Sequence, residues 1–270
     1  MHISETASKN HEELFPNHKS TLKITDPELI EVFDSFAFDE VISYGKLDTK
    51  TRLMVILASL IASQTLSEYK VMLGDALNVG VTPIEFKEIV YQSVPYVGIA
   101  KSFDFIHATN EILENRGIKL PLEGQSTTSP ETRYEKGLEL QKSIFEEMID
   151  KMCEESPVNQ IHIQKYLSAN YFGDYYTRKR LDVKTRESLT FSMILFLGGC
   201  EPQLKGYIQG NLNVGNDNEI LLSAVTQLLP YIGYPRALNA IRCLNEAEYK
   251  LNKETAQLLK HLSDLPGIET

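Results

Sequence analysis

The chain reads as an all-α protein, a tandem duplication of one helical unit. It repeats itself. LDTKTR at 47–52 returns as LDVKTR at 181–186, ALNVG at 76–80 as NLNVG at 211–215, and PYVG at 95–98 as PYIG at 230–233. The first pair lies 134 residues apart and the other two 135, so order and spacing hold over three blocks with one inserted residue. Gln92/Gln227, Asn110/Asn245 and Glu111/Glu246 keep the later offset. Such self-similarity marks two copies of one structural unit. No stretch sustains the apolar/polar alternation of a strand, while helix start and stop signals recur throughout. The expected organisation is a flexible N-terminal segment (1–24), a first unit (25–117), a linker with a connecting helix (118–159), a second unit (160–252) and a C-terminal tail (253–270).

The elements follow in order. DPELIEVFDSFAF (26–38) begins with an Asp cap and a proline in the first turn, and QIHIQKYLSANYF (160–172) is its partner, with Phe38 matching Phe172. Asp48 is the expected N-cap of a helix reaching Ala62. The next helix, roughly 66–78, stops at Gly80. TPIE at 82–85 is a capping box with proline at the first helical position; its helix is expected to end near Val94, interrupted by Pro95. A last helix runs from about Gly98 to Leu113. The second unit repeats the plan over Asp182–Leu197, Pro202–Asn213, Glu219–Leu229 and Pro235 to about Leu251. Between the units, LPLEGQSTTSP (120–130) has linker composition, and 131–152 reads as one amphipathic helix. Residues 1–22 and the last several are expected to fray.

Bulk composition narrows the function. Of 270 residues, 27 are Lys or Arg and 37 Asp or Glu, a net charge of −10. That disfavours nucleic acid and anionic membrane surfaces, which need clustered cations. A hydrophobic fraction of 42% supports a core. Cys153, Cys200 and Cys243 are far apart and form no Cys-x-x-Cys, so neither a zinc ribbon nor a local dithiol is expected. The start, MHISETASKN, has no apolar run, and the longest such run, Phe191–Leu197, is too short to span a bilayer. A cytoplasmic protein with free thiols is the expectation. The six histidines (His2, His11, His18, His107, His162, His261) are scattered, and no metal or cofactor is called for.

The candidate site centres on GGCEPQLKGYIQGNLNVG (198–215). By the later offset Cys200 aligns with Thr65, Gln203 with Glu68 and Tyr207 with Met72. TLSE at 65–68 reads as a capping box, which makes Thr65 an N-cap and places Cys200 at the N-cap of the matching helix. Exposed amide protons and the partial positive charge of a helix start favour a thiolate there. Cys200 is thus either a reactive thiol or a small residue sealing a tight corner made by Gly198 and Gly199. Glu187, which matches Leu53, exchanges protons with that thiol if the corner folds one back on the other; otherwise it lies on a solvated face. Gln203, Tyr207 and Tyr231 are the candidate substrate-binding residues. Tyr207 either hydrogen-bonds a substrate or packs, and Tyr231 recurs as Tyr96, which points first to a structural job.

At LDVKTRESLTFSMILFLGGCEPQLKGYIQGNLNVG and QLLPYIGYPRALNAI, with their first-unit partners, the chain resembles the carboxymuconolactone decarboxylase family, whose fold is shared with alkylhydroperoxidase D-like proteins. The resemblance covers roughly 25–115 and 160–250. It implies all-α units that assemble into trimers or hexamers, and two chemistries. Decarboxylase members carry a histidine on the helix after the corner. Peroxidase-like members carry Cys-x-x-Cys-x-x-x-His with an upstream glutamate. Here Cys200 takes the first cysteine position and Glu187 lies near the glutamate position, but Gln203 replaces the second cysteine and Tyr207 the histidine. Thr65, Glu68 and Met72 stand in the first unit. The implied activities are a one-cysteine, peroxiredoxin-like reaction through Cys200 and Glu187, or a decarboxylase or lactone-handling reaction using Glu187, Tyr207 and Glu68. The third possibility is non-catalytic binding of a small molecule. The doubling implies a homo-oligomer, a trimer of two-unit chains with pseudo-hexameric symmetry.

Overall fold

The computed structural model describes residues 3–16 and 20–263; His2, His18 and the end of the tail, 264–270, lie outside the described residues. Among the described residues every regular element is helical. The first half runs α1 (Glu5–Leu14), α2 (Leu22–Thr25), α3 (Pro27–Ser35), a π-helical segment π1 (Phe36–Glu40), α4 (Thr49–Ser63), α5 (Leu66–Ala76), α6 (Pro83–Val97) and α7 (Ile99–Asn115). The second runs α8 (Arg133–Phe145), α9 (Met148–Glu154), a 3₁₀ turn, α10 (Ile161–Tyr166), π2 (Leu167–Tyr176), α11 (Val183–Leu197), α12 (Glu201–Asn213), α13 (Asn218–Ile232) and α14 (Tyr234–Ser263). No helix among the described residues is long and apolar enough to cross a membrane.

Local signals place the helix starts. Asp48 accepts from Thr51 N at 3.0 Å and Asp182 from Thr185 N at 2.7 Å. Thr82 and Glu85 close the capping box in both directions. Each such cap is worth about 1 kcal/mol. Four expectations need correction. Pro95 and Pro230 sit inside α6 and α13 rather than ending them. Each lies in the last turn, where a missing N–H costs one bond and the helix stops anyway at Gly98 or Gly233. The helix expected over 131–152 breaks into α8 and α9 at Glu146, whose φ is 52°. Asp26 makes no side-chain cap, and the stretch after Ser35 widens into π1. Finally, α14 continues to Ser263 through much of the expected tail.

The N-terminal segment is a fifth correction. Within the stretch expected to fray, α1 is capped by Ser4 and buries Ala7, His11 and Leu14. His11 meets Phe38 edge-on at 5.0 Å, as Phe145 of α8 meets Phe172 at 6.0 Å. Both pairs are separated by 134 residues, so α1 is the first-unit counterpart of α8, and the repeat begins upstream of residue 25. In the second unit the approach is backbone to backbone. A Cβ on Gly137 would lie 1.9 Å from Ser168 O, and one on Gly173 would lie 2.1 Å from Arg133 O.

At the centre α4 packs on α11, its own duplicate. Residues 52–62 and 186–195 are buried without a break, as expected of helices covered on all sides. The units also interlock. Gln92 of α6 donates to Thr190 Oγ1 of α11 at 3.0 Å, and Gln227 of α13 donates to Val41 O and Tyr44 O at 2.6 and 2.7 Å. Each unit therefore completes the other's core.

Candidate functional site

Cys200 is the N-cap of α12, where the repeat placed it, and Gly198 and Gly199 make the corner with φ of 68° and 67°. Its thiol is partly buried at the edge of the core and makes no capping hydrogen bond. The template for that placement behaves differently from expectation. Thr65 does cap α5 in position, but its hydroxyl turns back to Leu60 O and Ser63 rather than to the helix amides. The Thr65–Glu68 capping box is absent, which frees the Glu68 carboxyl.

The structure separates Cys200 from Glu187. A Cβ on Gly210 would lie 2.6 Å from Glu187 Oε2, so the carboxylate sits beside Gly210. Gly210 is ten residues past Cys200 on the same helix, about 15 Å along the axis at ~1.5 Å per residue. Proton exchange between the two groups has no geometry here. Glu187 instead joins Tyr207, Tyr171, Tyr176 and Phe145. Tyr207 donates to Tyr171 at 2.7 Å, Tyr96 donates to Tyr207 at 3.3 Å, and Thr190 bonds both Tyr96 (2.8 Å) and Tyr176. Neither carboxylate oxygen of Glu187 has a hydrogen-bond partner. Burial pushes its pKa up to about 8, only partly offset by the Tyr176 hydroxyl, whose own bonds go to Thr190 and Arg186 O. Burial first, and then Glu187, hold the Tyr176 and Tyr207 hydroxyls well above their ordinary range. Gln203 is exposed and takes no part. The cavities that stand out among the described residues are not lined by Cys200, Glu187, Gln203 or Tyr207.

Tyr231, from α13 of the second unit, lies elsewhere, against helices of the first half. There a cavity of about 290 Å³ opens between α1–α3 and α5. Phe15, Phe33, Phe38, Val71 and Met72 wall it, with Tyr231, Glu68, Asp34 and Lys23 as its polar edge. Phe33 stands edge-on to Tyr231 at 6.1 Å. Lys23 Nζ is 3.5 Å from the buried Asp34 carboxylate. Burial raises the Glu68 carboxyl, and burial followed by the charge of Glu68 raises Tyr231. The contrast with the second unit is one of hydroxyl groups at all three matching positions and of side-chain size at two of them. Where Tyr207, Tyr171 and Thr190 close the second unit, Met72, Ala37 and Ile56 stand in the first. Tyr96 finds two hydroxyl partners, and Tyr231 at the same place finds apolar neighbours and a void. The aligned copies carried this signal, since three hydroxyl-bearing residues are absent from one of them, but it marks a hollow only once the helices are packed.

A second buried constellation was not foreseen. Arg186 and Glu88 are fully buried and pair at 2.8 Å. Arg178 Nε reaches both Glu88 oxygens at 2.9 and 3.0 Å, and Gln92 accepts from Arg186 at 2.9 Å.

Comparison with known proteins agrees with this architecture. A comparison with curated proteins returned no match. Among solved structures, the chain is similar to a crystal structure described as that of a candidate gamma-carboxymuconolactone decarboxylase subunit from Burkholderia xenovorans LB400. The identity is 21%, over 91% of this chain and 98% of that one, with a TM-score of 0.49. The model of the carboxymuconolactone decarboxylase family matches residues 27–111 and 162–246, one match within each helical repeat. These two stretches span more than half of the sequence, and the chain belongs to the carboxymuconolactone decarboxylase family.

Proposed function

We propose that this family member binds a small, largely apolar molecule in the first-unit cavity and that Cys200 is not a peroxidatic centre. The observation that carries the reading is the asymmetry of the duplicated site: open at about 290 Å³ in the first unit, filled by tyrosines in the second. That volume is at the lower end of ligand pockets, ~300–1,000 Å³. Asp34 and Glu68 face the cavity with Lys23, which is paired to Asp34, and His11, so a doubly carboxylated lactone is disfavoured relative to a neutral apolar ligand. A thermal-shift screen of neutral aromatic and alicyclic compounds tests this. A binder is expected to raise Tm with concentration, by an amount equivalent to ~2.7 kcal/mol at a hundredfold excess over Kd. Met72→Trp, which fills the cavity, abolishes the shift, and a hit that survives Met72→Trp overturns the assignment. Cys200→Ser is expected to leave hydroperoxide consumption with dithiothreitol unchanged; a loss of roughly tenfold or more, the scale of a lost nucleophile, restores the peroxidase reading.

We also infer a cytoplasmic homo-oligomer, a trimer of two-unit chains. Its three cysteines are unpaired. Ile99 and Phe103 of α7 are exposed, and so are Tyr234 and Leu238 of α14, 135 residues on. An apolar patch preserved at the same place in both units supports burial against neighbours. Sedimentation is expected to show about three times the 30.6 kDa chain mass, and a stable monomer contradicts it.

A further inference from the structure

Arg52 and Arg186 are duplicates, both buried near the start of the central helices, but only one has its counter-charge. Arg186 donates to Glu88, to Gln92 and to Arg178 O. At the second-unit position matching Glu88 stands Ser223, whose hydroxyl bonds Glu219 O and the Lys46 amide and is pressed against Gly45. At the position matching Gln92 stands Gln227, whose amide turns to Val41 O and Tyr44 O. Arg52 is left only 8% exposed, with no hydrogen bond or ion pair among the described residues. Asp48, on the same helix start, has its oxygens turned to Thr51. A guanidinium this far buried without an anion is costly even though its nitrogens keep a little contact with solvent, and it stays charged at any physiological pH.

A cavity opens beside Arg52. Arg52 lines a cavity of about 330 Å³ together with Asn10, Thr49, Leu14, Ile42 and Val79. Glu13 is the acid at its rim, an exposed side chain 3.8 Å from Lys9. Asn10 spends its amide N–H on Phe38 O, which leaves its carbonyl oxygen and the Thr49 hydroxyl as the polar wall.

We propose that Arg52 anchors a carboxylate-bearing small molecule in this cavity, the ligand's carboxylate supplying the counter-charge that Glu88 gives Arg186. The planar guanidinium fork matches a carboxylate in two parallel hydrogen bonds, and such a charge-assisted pair is stronger than a neutral one. The apolar remainder of the cavity, Leu14, Ile42 and Val79, accepts a hydrocarbon or aryl body. The site shares no lining residue with the cavity lined by Met72 and is independent of the reading given to that cavity.

The test uses benzoate, with benzylamine and benzyl alcohol as probes of matched shape, at constant ionic strength on the full chain. Benzoate is expected to bind and raise Tm, while the other two do not. Arg52→Met is expected to weaken benzoate binding roughly tenfold or more, the scale of a lost charge-assisted bidentate pair. Should Arg52→Met fail to fold, Arg52→Gln keeps a donor without the charge and reads the same loss. Met72→Trp is expected to leave benzoate binding intact, which separates this site from the other. Absence of benzoate binding, or binding that is equal in wild type and the Arg52 variants, overturns the proposal.

Discussion

Glu88→Ala is expected to cost about 3–5 kcal/mol of folding stability, the scale seen when one partner of a buried ion pair is removed. Among the described residues Glu88 is the one carboxylate shared by Arg186 and Arg178, and it takes three hydrogen bonds from them between 2.8 and 3.0 Å. Arg186 is wholly buried, and its Nε already lacks a partner. Burial pulls the guanidinium down and Glu88 is what opposes that. Without Glu88 two cations remain, one with no route to water. The same residue ties the units together, because Glu88 belongs to α6 of the first and Arg186 to α11 of the second. Urea unfolding of the full chain reads the effect, and a change under 1 kcal/mol refutes it. Glu88→Leu combined with Arg186→Met is expected to restore most of the loss, since the pair is then replaced by packed hydrocarbon.

Glu187→Leu is expected to stabilise the protein, with a gain that grows with pH. The native carboxyl keeps its proton until about pH 8, whereas the unfolded one releases it near the ordinary value of 4.5. Between those values the native state binds more protons than the unfolded, so stability falls as pH rises, by about 1.4 kcal/mol per unit. By pH 8 the accumulated penalty is on the order of 3–5 kcal/mol. Leucine occupies the matching position 53 and is 2% exposed there, so the fold has already accommodated it once. Chemical unfolding at pH 5, 6.5 and 8 is the measurement. If the wild-type slope persists in Glu187→Leu, another group is responsible.

The helical units, their caps and the place of Cys200 at a helix start were legible because each depends on contacts within a few residues. Asp48, Asp182 and Thr82 meet their partners three residues on. The repeat also transmitted position faithfully enough to put Cys200 where Thr65 stands. Chemistry did not transfer in the same way. Thr65-x-x-Glu68 has the letters of a capping box, yet Ser63 and Leu60 take the hydroxyl. The α1 segment looked too polar to pack, with a net apolar content that hides three well-placed buried residues, Ala7, His11 and Leu14.

By itself, the sequence determined the all-α class, the duplication, the helix boundaries to within a turn or so, and the family, since these rest on periodicity, capping and repeated order along one chain. Tertiary structure alone decided which half is hollow and which charges are paired. Tyr96, Tyr171 and Tyr207 converge around Glu187 from three separate helical segments, while Met72 and Tyr231 face a void and Arg52 pairs with no carboxylate among the described residues. The physical reason is that occupancy of a site is set by side-chain volume and charge summed over residues more than a hundred positions apart, and only packing brings those contributions into one place.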